Sequence, residues 1–416
     1  MEALTARAAL SVEEIRRDFP LLTREIEGRP VAYLDNAATS QKPAAVLEAM
    51  DTYYRRSNAN IHRSIHQLAA EATEIYEGGR AKLARLVGGR PAETVFVRNA
   101  TEAINLVRFS WGRANVEPGD VVLVTRMEHH SNLVPWQLLC EETGAMLEYV
   151  ELDERGHLDL DTLDAQLAAG NVKLLAVAHV SNVLGTINPI AEITERAHDA
   201  GALVLVDGAQ AVPQMPVNVA HLDVDFYALT GHKMFGPTGI GALWARRELL
   251  EEMPPFMGGG SMISAVEDEH STWAQPPAKF EAGTPAVAEA AGLGAAADYL
   301  SDLGMHAVRA HEREITAYAL ERLAAIEGLR IFGPRDPGER GGLVSFALEG
   351  VHPHDIAEIC NRDAVAIRAG HHCAQPLMRV LGVPATARAS FSVYNTKDEV
   401  DRLVMALENA REVFGL

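Results

Sequence analysis

The sequence predicts an α/β fold with a large domain on a mostly parallel sheet and a smaller α+β domain closing the C-terminus. Two observations carry this. Short, near-continuous apolar runs alternate with longer helical patterns from about residue 30 to 285, as in strands covered by helices on both faces. After Thr284 the rhythm changes to long helices and a few spaced strands. A chain of 416 residues also exceeds what one hydrophobic core organises. The segmentation is 1–30 for an N-terminal segment packing on the small domain, 31–285 for the large domain and 286–416 for the small one.

In order along the chain, apolar, often β-branched runs place strands at Val31–Leu34, Thr94–Val97, Val121–Thr125, Met146–Val150, Leu174–His179, Leu203–Val206, Phe226–Leu229 and Ile240–Trp244. Helical spacing places helices between them at Ala44–Arg56, Leu68–Val87, Glu102–Trp111, Leu133–Glu142, Leu160–Ala168 and Ala191–Ala200. The Ala-rich stretch Ala286–Leu300 and a second helix open the smaller domain. Strands Leu329–Phe332 and Leu343–Leu348 flank the loop Gly333–Gly342. Helix Ile356–Asn361, strands Val365–Ile367 and Arg388–Ser392, and helix Lys397–Phe414 complete it.

With 48% hydrophobic and 23% charged residues the chain is not a disordered one. Thirty-seven basic against 57 acidic residues give a formal charge of −20, the wrong sign for wrapping nucleic acid or lying on an anionic membrane. Three cysteines are too few for a disulfide scaffold. The start, Met1-Glu2-Ala3-Leu4-Thr5-Ala6-Arg7, runs into the charged stretch Glu13 to Asp18 without a signal-peptide core, and no run of about 18 apolar residues occurs. A cytoplasmic protein is expected, with neither nucleic acid nor membrane as partner.

The densest chemistry lies between 200 and 241. Val204-Leu205-Val206-Asp207 is an apolar strand ending in an acid, with Gln210 three residues on, at the strand end where open α/β sheets bind ligands. Alone, Asp207 reads equally as a helix cap or a magnesium ligand. Thr230-Gly231-His232-Lys233 follows the next strand and leads into Gly236-Pro237. One task explains the pair: Lys233 forms an imine with an aldehyde cofactor, and Asp207 keeps the cofactor's pyridine nitrogen protonated. Phosphate donors are expected from Thr101 as helix cap, with free amides of Glu102 and Ala103, and from Thr230 and His232. In Glu128-His129-His130-Ser131-Asn132, one imidazole could stack on the ring and shuttle protons, His129 being preferred over His130. Arg368-Ala369-Gly370-His371-His372-Cys373 gives Cys373 a setting that favours thiolate; a nucleophile ranks first, a zinc ligand with His371 or His372 second, a packing residue last. Cys140 and Cys360 are read as packing residues. Arg388 could hold a carboxylate, or form only a surface salt bridge.

Taken together these residues resemble the pyridoxal-phosphate cysteine desulfurases of the second type, the Suf-system enzymes. The resemblance runs from Tyr33-Leu34-Asp35-Asn36-Ala37-Ala38 to the last helix through Ala59-Asn60-Ile61-His62-Arg63, Asn99-Ala100-Thr101-Glu102, Ser181-Asn182-Val183-Leu184-Gly185, Gly231-His232-Lys233, Glu281-Ala282-Gly283-Thr284 and Gly370-His371-His372-Cys373. It implies the fold-type-I aminotransferase architecture, a homodimer and pyridoxal 5′-phosphate as cofactor. It further implies Lys233 as the cofactor lysine, Asp207 on the ring nitrogen, Gln210 on the ring hydroxyl and His129 stacked on the ring. Thr101, Thr230 and His232 would bind phosphate, with Thr284 reaching in from the partner subunit. Asn182 and Arg388 would hold the carboxylate of L-cysteine, with Arg368 and His62 on the substrate side. Cys373 would accept the sulfur as a persulfide and pass it on for iron–sulfur cluster assembly. The run Val351-His352-Pro353-His354-Asp355 resembles enzymes served by a small zinc-containing sulfur acceptor, with His354 contacting that zinc. Selenocysteine lyase or cysteine-sulfinate cleavage is the alternative within the fold. A non-catalytic zinc or cluster scaffold on His354, His371 and Cys373 is the alternative outside it.

Overall fold

The computed structural model describes residues 10–62 and 65–416. Seven strands form the central sheet: β1 Thr94–Val97, β2 Val121–Thr125, β3 Met146–Val150, β4 Val172–Ala178, β5 Leu203–Asp207, β6 Phe226–Thr230 and β7 Gly241–Ala245. Their spatial order is β1-β7-β6-β5-β4-β2-β3. β2 to β6 run parallel, and β7 is antiparallel to both neighbours. Every residue of β1, β2, β6 and β7 is buried, which is why these segments read as continuous apolar runs rather than alternating ones.

A four-stranded antiparallel sheet organises the smaller domain: β8 Leu329–Phe332, β9 Leu343–Leu348, β10 Arg368–Gly370 and β11 Thr386–Ser390, in the order β8-β9-β11-β10. Helices Pro353–Arg362 and Lys397–Phe414 add Ile356, Ile359, Val400 and Leu403 to its core. The last helix opens with a capping box, Thr396 with Glu399.

Several sequence expectations shift. The run Val31–Leu34 does not join the large sheet. Ala32–Tyr33 pairs parallel with Val365–Ala366, and Ala32 and Leu34 lie in the small-domain core. Its apolar character is satisfied equally by either core, so composition alone could not assign it. The expected strand Val365–Ile367 ends at Ala366 within that pair, Ile367 falls between it and β10, and Arg388 sits mid-strand in β11 rather than opening it. Helix Ala44–Thr52 passes into a π-turn at Tyr53–Ser57, and helix Ala100–Val107 into another at Arg108–Gly112. The N-terminal segment touches both domains. Arg16 bonds Glu399 at 2.9 Å, and the Phe19 ring packs on Phe235 and Tyr394 at 5.4 and 4.6 Å between centroids. Residues 1–9 and Arg63 lie outside the described residues.

Candidate active site

The carboxyl ends of the parallel strands and the edge of the small sheet enclose a cavity of about 430 Å³. Ala178 ends β4, Asp207 ends β5 and Thr230 ends β6, and all three line the cavity. Lys233 enters from the tight turn Gly231–Lys233, and Arg368, His372, Cys373 and Arg388 close it from the small domain.

Lys233 has no hydrogen-bond or ion-pair partner of its own among the described residues. Burial pulls its amine down to about 8, against the opposing pull of Asp207, with Arg388 and Arg368 adding to the lowering. Burial raises the Asp207 carboxyl, while the Ala209 amide and Lys233 act the other way. The Ala209 N–H donates to Asp207 Oδ1 at 3.0 Å, the single donor to this carboxylate among the described residues. Behind Asp207, Gly208 has no room for a side chain, because a Cβ there would overlap the Tyr227 ring. The Tyr227 hydroxyl is bonded in turn to His179 Nδ1 at 2.9 Å.

The turn carrying Lys233 is clamped by a segment to which sequence reasoning assigned no role. The His232 carbonyl accepts from the Ser40 amide at 3.0 Å, Thr39 Oγ1 at 2.9 Å, Ser40 Oγ at 3.2 Å and Lys42 Nζ at 2.9 Å. Ser40 Oγ also accepts from the Phe235 amide at 2.9 Å. Gln210 Nε2 ties the same segment to the cavity floor through the Ala37 carbonyl at 2.8 Å.

The anion-binding expectation needs correction. Asn99, not Thr101, caps the helix Ala100–Val107: its Oδ1 takes the Glu102 amide at 3.0 Å and its carbonyl takes the Ala103 amide at 3.1 Å. The amides of Glu102 and Ala103 are therefore used, and the Glu102 carboxylate turns to Arg98 Nε at 2.8 Å. The first two helical residues, Ala100 and Thr101, have no acceptor within the helix for their amides, and both line the cavity. Opposite them, Thr230 Oγ1 is buried without a partner. His232 is held neutral by burial, its value lowered to about 4.

His129 Nδ1 accepts the Ser131 amide at 3.1 Å and lies 2.7 Å from Ser131 Oγ. Burial lowers its value to about 3, so the ring is neutral with its proton on Nε2. Beneath it the buried Glu128 accepts Thr125 Oγ1 at 2.6 Å, Asn132 Nδ2 at 2.6 Å and the Ala178 amide at 2.9 Å. The sequence alone assigns Glu128 no role.

Cys373 is a free, partly exposed thiol. His372 and Cys373 take φ values of +50° and +57°, a left-handed conformation that costs non-glycine residues on the order of 1–2 kcal/mol each. Two tethers hold it: the His130 amide on the Cys373 carbonyl and Asn182 Nδ2 on the His372 carbonyl, both at 2.7 Å. Arg388 is 1% exposed, so the surface salt-bridge reading fails. Its Nη1 donates to the Asn182 carbonyl at 2.8 Å, its Nη2 lies 3.2 Å from Asp35 Oδ1, and its Nε is buried without a partner.

Two expected site residues stand apart. Thr284 lines a neighbouring cleft of about 440 Å³ that shares Arg98 and Gly239 with the first. His62 pairs with Glu77 at 3.1 Å and is 45% exposed. His354, His371 and Cys373 do not form a metal-holding group among the described residues.

The donor set fits a phosphorylated pyridine aldehyde. It offers an unpartnered amine with a lowered pKa, an acid with free acceptor capacity, two free helix amides and an orphaned hydroxyl around one cavity.

The sequence pattern of the family Aminotransferase class-V matches residues 32–403. A protein of Halobacterium salinarum named "Probable cysteine desulfurase" is 51% identical over 418 residues, covering 100% of both chains. Among solved structures, the apo cysteine desulfurase of Thermococcus onnurineus NA1 superposes with a TM-score of 0.92 at 40% identity, covering 97% of this chain and 98% of that one. The cysteine desulfurase CsdA (S-sulfonic acid) of Escherichia coli gives 0.90 at 39% identity, covering 98% and 100%.

Proposed function

The chain belongs to the class-V aminotransferase family, and on that premise we propose that it is a cysteine desulfurase, converting L-cysteine to L-alanine with the sulfur left as a persulfide on Cys373. Its cofactor is pyridoxal 5′-phosphate. Lys233 would hold the aldehyde carbon, Asp207 the ring nitrogen, Gln210 the ring hydroxyl, and Thr101, Thr230 and His232 the phosphate. When bound, the cofactor supplies an electron-withdrawing ring that stabilises negative charge at the substrate Cα.

The chain's own residues do the rest. Arg388 and Asn182 orient the substrate carboxylate. Lys233, with its lowered pKa, takes the Cα proton and returns one. Asp207, at the end of β5, would hold the ring nitrogen in its protonated form. His129 is neutral and carries its proton on Nε2, suited to stacking and to hydrogen-bonding the substrate sulfur without transferring a proton to it. The Cys373 thiolate attacks that sulfur: a sulfur–sulfur bond forms, the carbon–sulfur bond breaks with its electron pair left on carbon, and protonation there gives alanine.

One observation carries this reading: Lys233 and Cys373 line the same cavity, together with Asp207, Arg368 and Arg388. The test is Cys373→Ala. Cofactor absorbance should persist, with a borohydride-stable adduct at Lys233, while sulfide release from L-cysteine falls by at least a hundredfold. Undiminished sulfide release would refute the assignment of Cys373.

We further propose that the sulfur goes to iron–sulfur cluster assembly through a small zinc-containing acceptor of the Suf system. His354 supports this as an exposed imidazole one position inside the helix Pro353–Arg362, its ring 5.0 Å from that of His352. A homodimer is proposed because Thr284 and His62 lie outside this chain's own cavity, as expected of residues that serve a partner's site. A cytoplasmic location accords with three free cysteines. No helix among the described residues is long and apolar enough to cross a membrane.

A further inference from the structure

Arg368 on β10 lies directly opposite Arg388 on β11. Like charges facing each other across a strand pair repel, and neither arginine is surface-solvated: Arg388 is 1% exposed and Arg368 half-buried. Asp35 is the carboxylate paired with Arg388, and Arg368 has no paired carboxylate among the described residues. Asp35 reaches this place because its segment is laid on the small domain, the Leu34 amide bonded to the Ala366 carbonyl at 2.9 Å and the Ser390 amide to the Leu34 carbonyl at 2.7 Å. The ion pair is long, at 3.2 Å, and Arg388 Nε stays unpartnered. Asp35 therefore leaves Arg388 hydrogen-bonding capacity while cancelling one of two positive charges.

We propose that Asp35 is a specificity-determining residue that sets the charge of the substrate accepted at this site. With Asp35 ionised, the Arg368–Arg388–Asp35 group carries one net positive charge. That matches an amino acid whose side chain is neutral, such as L-cysteine, and disfavours one with a second anion on its β-carbon, such as L-cysteine sulfinate. The inference rests on the cysteine reading of the site and names the residue that enforces it.

The decisive variant is Asp35→Asn, which keeps an acceptor oxygen near Arg388 and removes the charge. In the cofactor-loaded enzyme, the ratio of kcat/KM for L-cysteine sulfinate (sulfite release) to that for L-cysteine should rise at least tenfold. A binding readout runs alongside it: by calorimetry, affinity for succinate relative to propionate should rise by a similar factor. Adding Arg368→Met should return both ratios toward wild type, and Asp35→Glu should leave them near wild type. Arg368→Met alone removes no ion pair, keeps the test open if Asp35→Asn does not fold, and should lower the succinate preference. Unchanged or reduced ratios in folded Asp35→Asn protein, or an unchanged preference in Arg368→Met, would overturn the proposal. Wild-type enzyme that ignores L-cysteine would sink the functional reading instead, while the succinate-to-propionate ratio still decides the role of Asp35.

Discussion

At the scale of single residues, the chemistry here depends on what burial does to each group. The Lys233 amine lies at about 8 chiefly because its surroundings exclude water, with Asp207 restoring part of the loss. A free amine is needed to capture an aldehyde, so cofactor uptake by the apo protein should rise with pH up to about 8 and level off above it. An ordinary lysine would keep rising toward pH 10.5. Stopped-flow absorbance of apo protein mixed with the cofactor at pH 6 to 10 measures this, and a curve still climbing at pH 9.5 contradicts the burial argument. Lys233, Asp207 and Cys373 were legible in the sequence as candidates, the first two at or just past the ends of apolar runs and the third in a polar Gly-His-His loop. Asp35, Glu128 and His372 were not. Their roles come from contacts with residues distant in the chain, as when Asn182 Nδ2 meets the His372 carbonyl at 2.7 Å, and no local pattern encodes such a meeting.

Secondary-structure elements were legible where periodicity is strong, and their ends were less so. The strands β1, β2 and β3 match their sequence-derived bounds, because apolar runs between turns leave little freedom. The start of the helix at Ala100 was displaced because Asn99 and Thr101 are both good caps, and choosing between them requires knowing which side chain reaches the Glu102 amide. The segment 39–42 is the clearest miss, since short polar runs carry no periodic signal. Its four donors on the His232 carbonyl fix the peptide immediately before Lys233. Lys42→Met removes the charged donor and keeps the stem, so the turn should loosen by about 1–2 kcal/mol. Cofactor dissociation should then accelerate about tenfold, at 1.4 kcal/mol per decade. Dialysis against a carbonyl trap, followed by absorbance, reads this; an unchanged off-rate would show that Ser40 and Thr39 suffice.

For the whole molecule, function depends on how the two sheets are held about the cavity, and the loop between β8 and β9 is central to that. Arg340 on this loop is fully buried, yet no carboxylate pairs with it among the described residues. Its guanidinium donates to the carbonyls of Pro334 at 2.8 Å, Leu343 at 3.1 Å and Phe332. The same loop reaches the large domain through the Gly341 amide on the Gly185 carbonyl at 2.8 Å and the Gly342 amide on Gln214 Oε1 at 2.8 Å. These bonds set the stretch Ser181–Gly185, and hence Asn182, against the small domain. Burial lowers the Arg340 value to about 9, so keeping the charge there costs stability. Arg340→Met would relieve that cost but remove a charged donor from three buried carbonyls, each loss worth about 1–3 kcal/mol where no other donor replaces it. The orphaned acceptors should win, with a net loss of about 2–3 kcal/mol and a lower urea midpoint at unchanged slope. The same variant should raise KM for L-cysteine more than it lowers kcat, since Asn182 and Arg388 would lose register while Lys233 and Asp207, on the other sheet, keep theirs. A midpoint equal to or above wild type would mean that desolvation of the guanidinium dominates, and a selective loss of kcat would mean that the loop acts on the lysine side of the cavity.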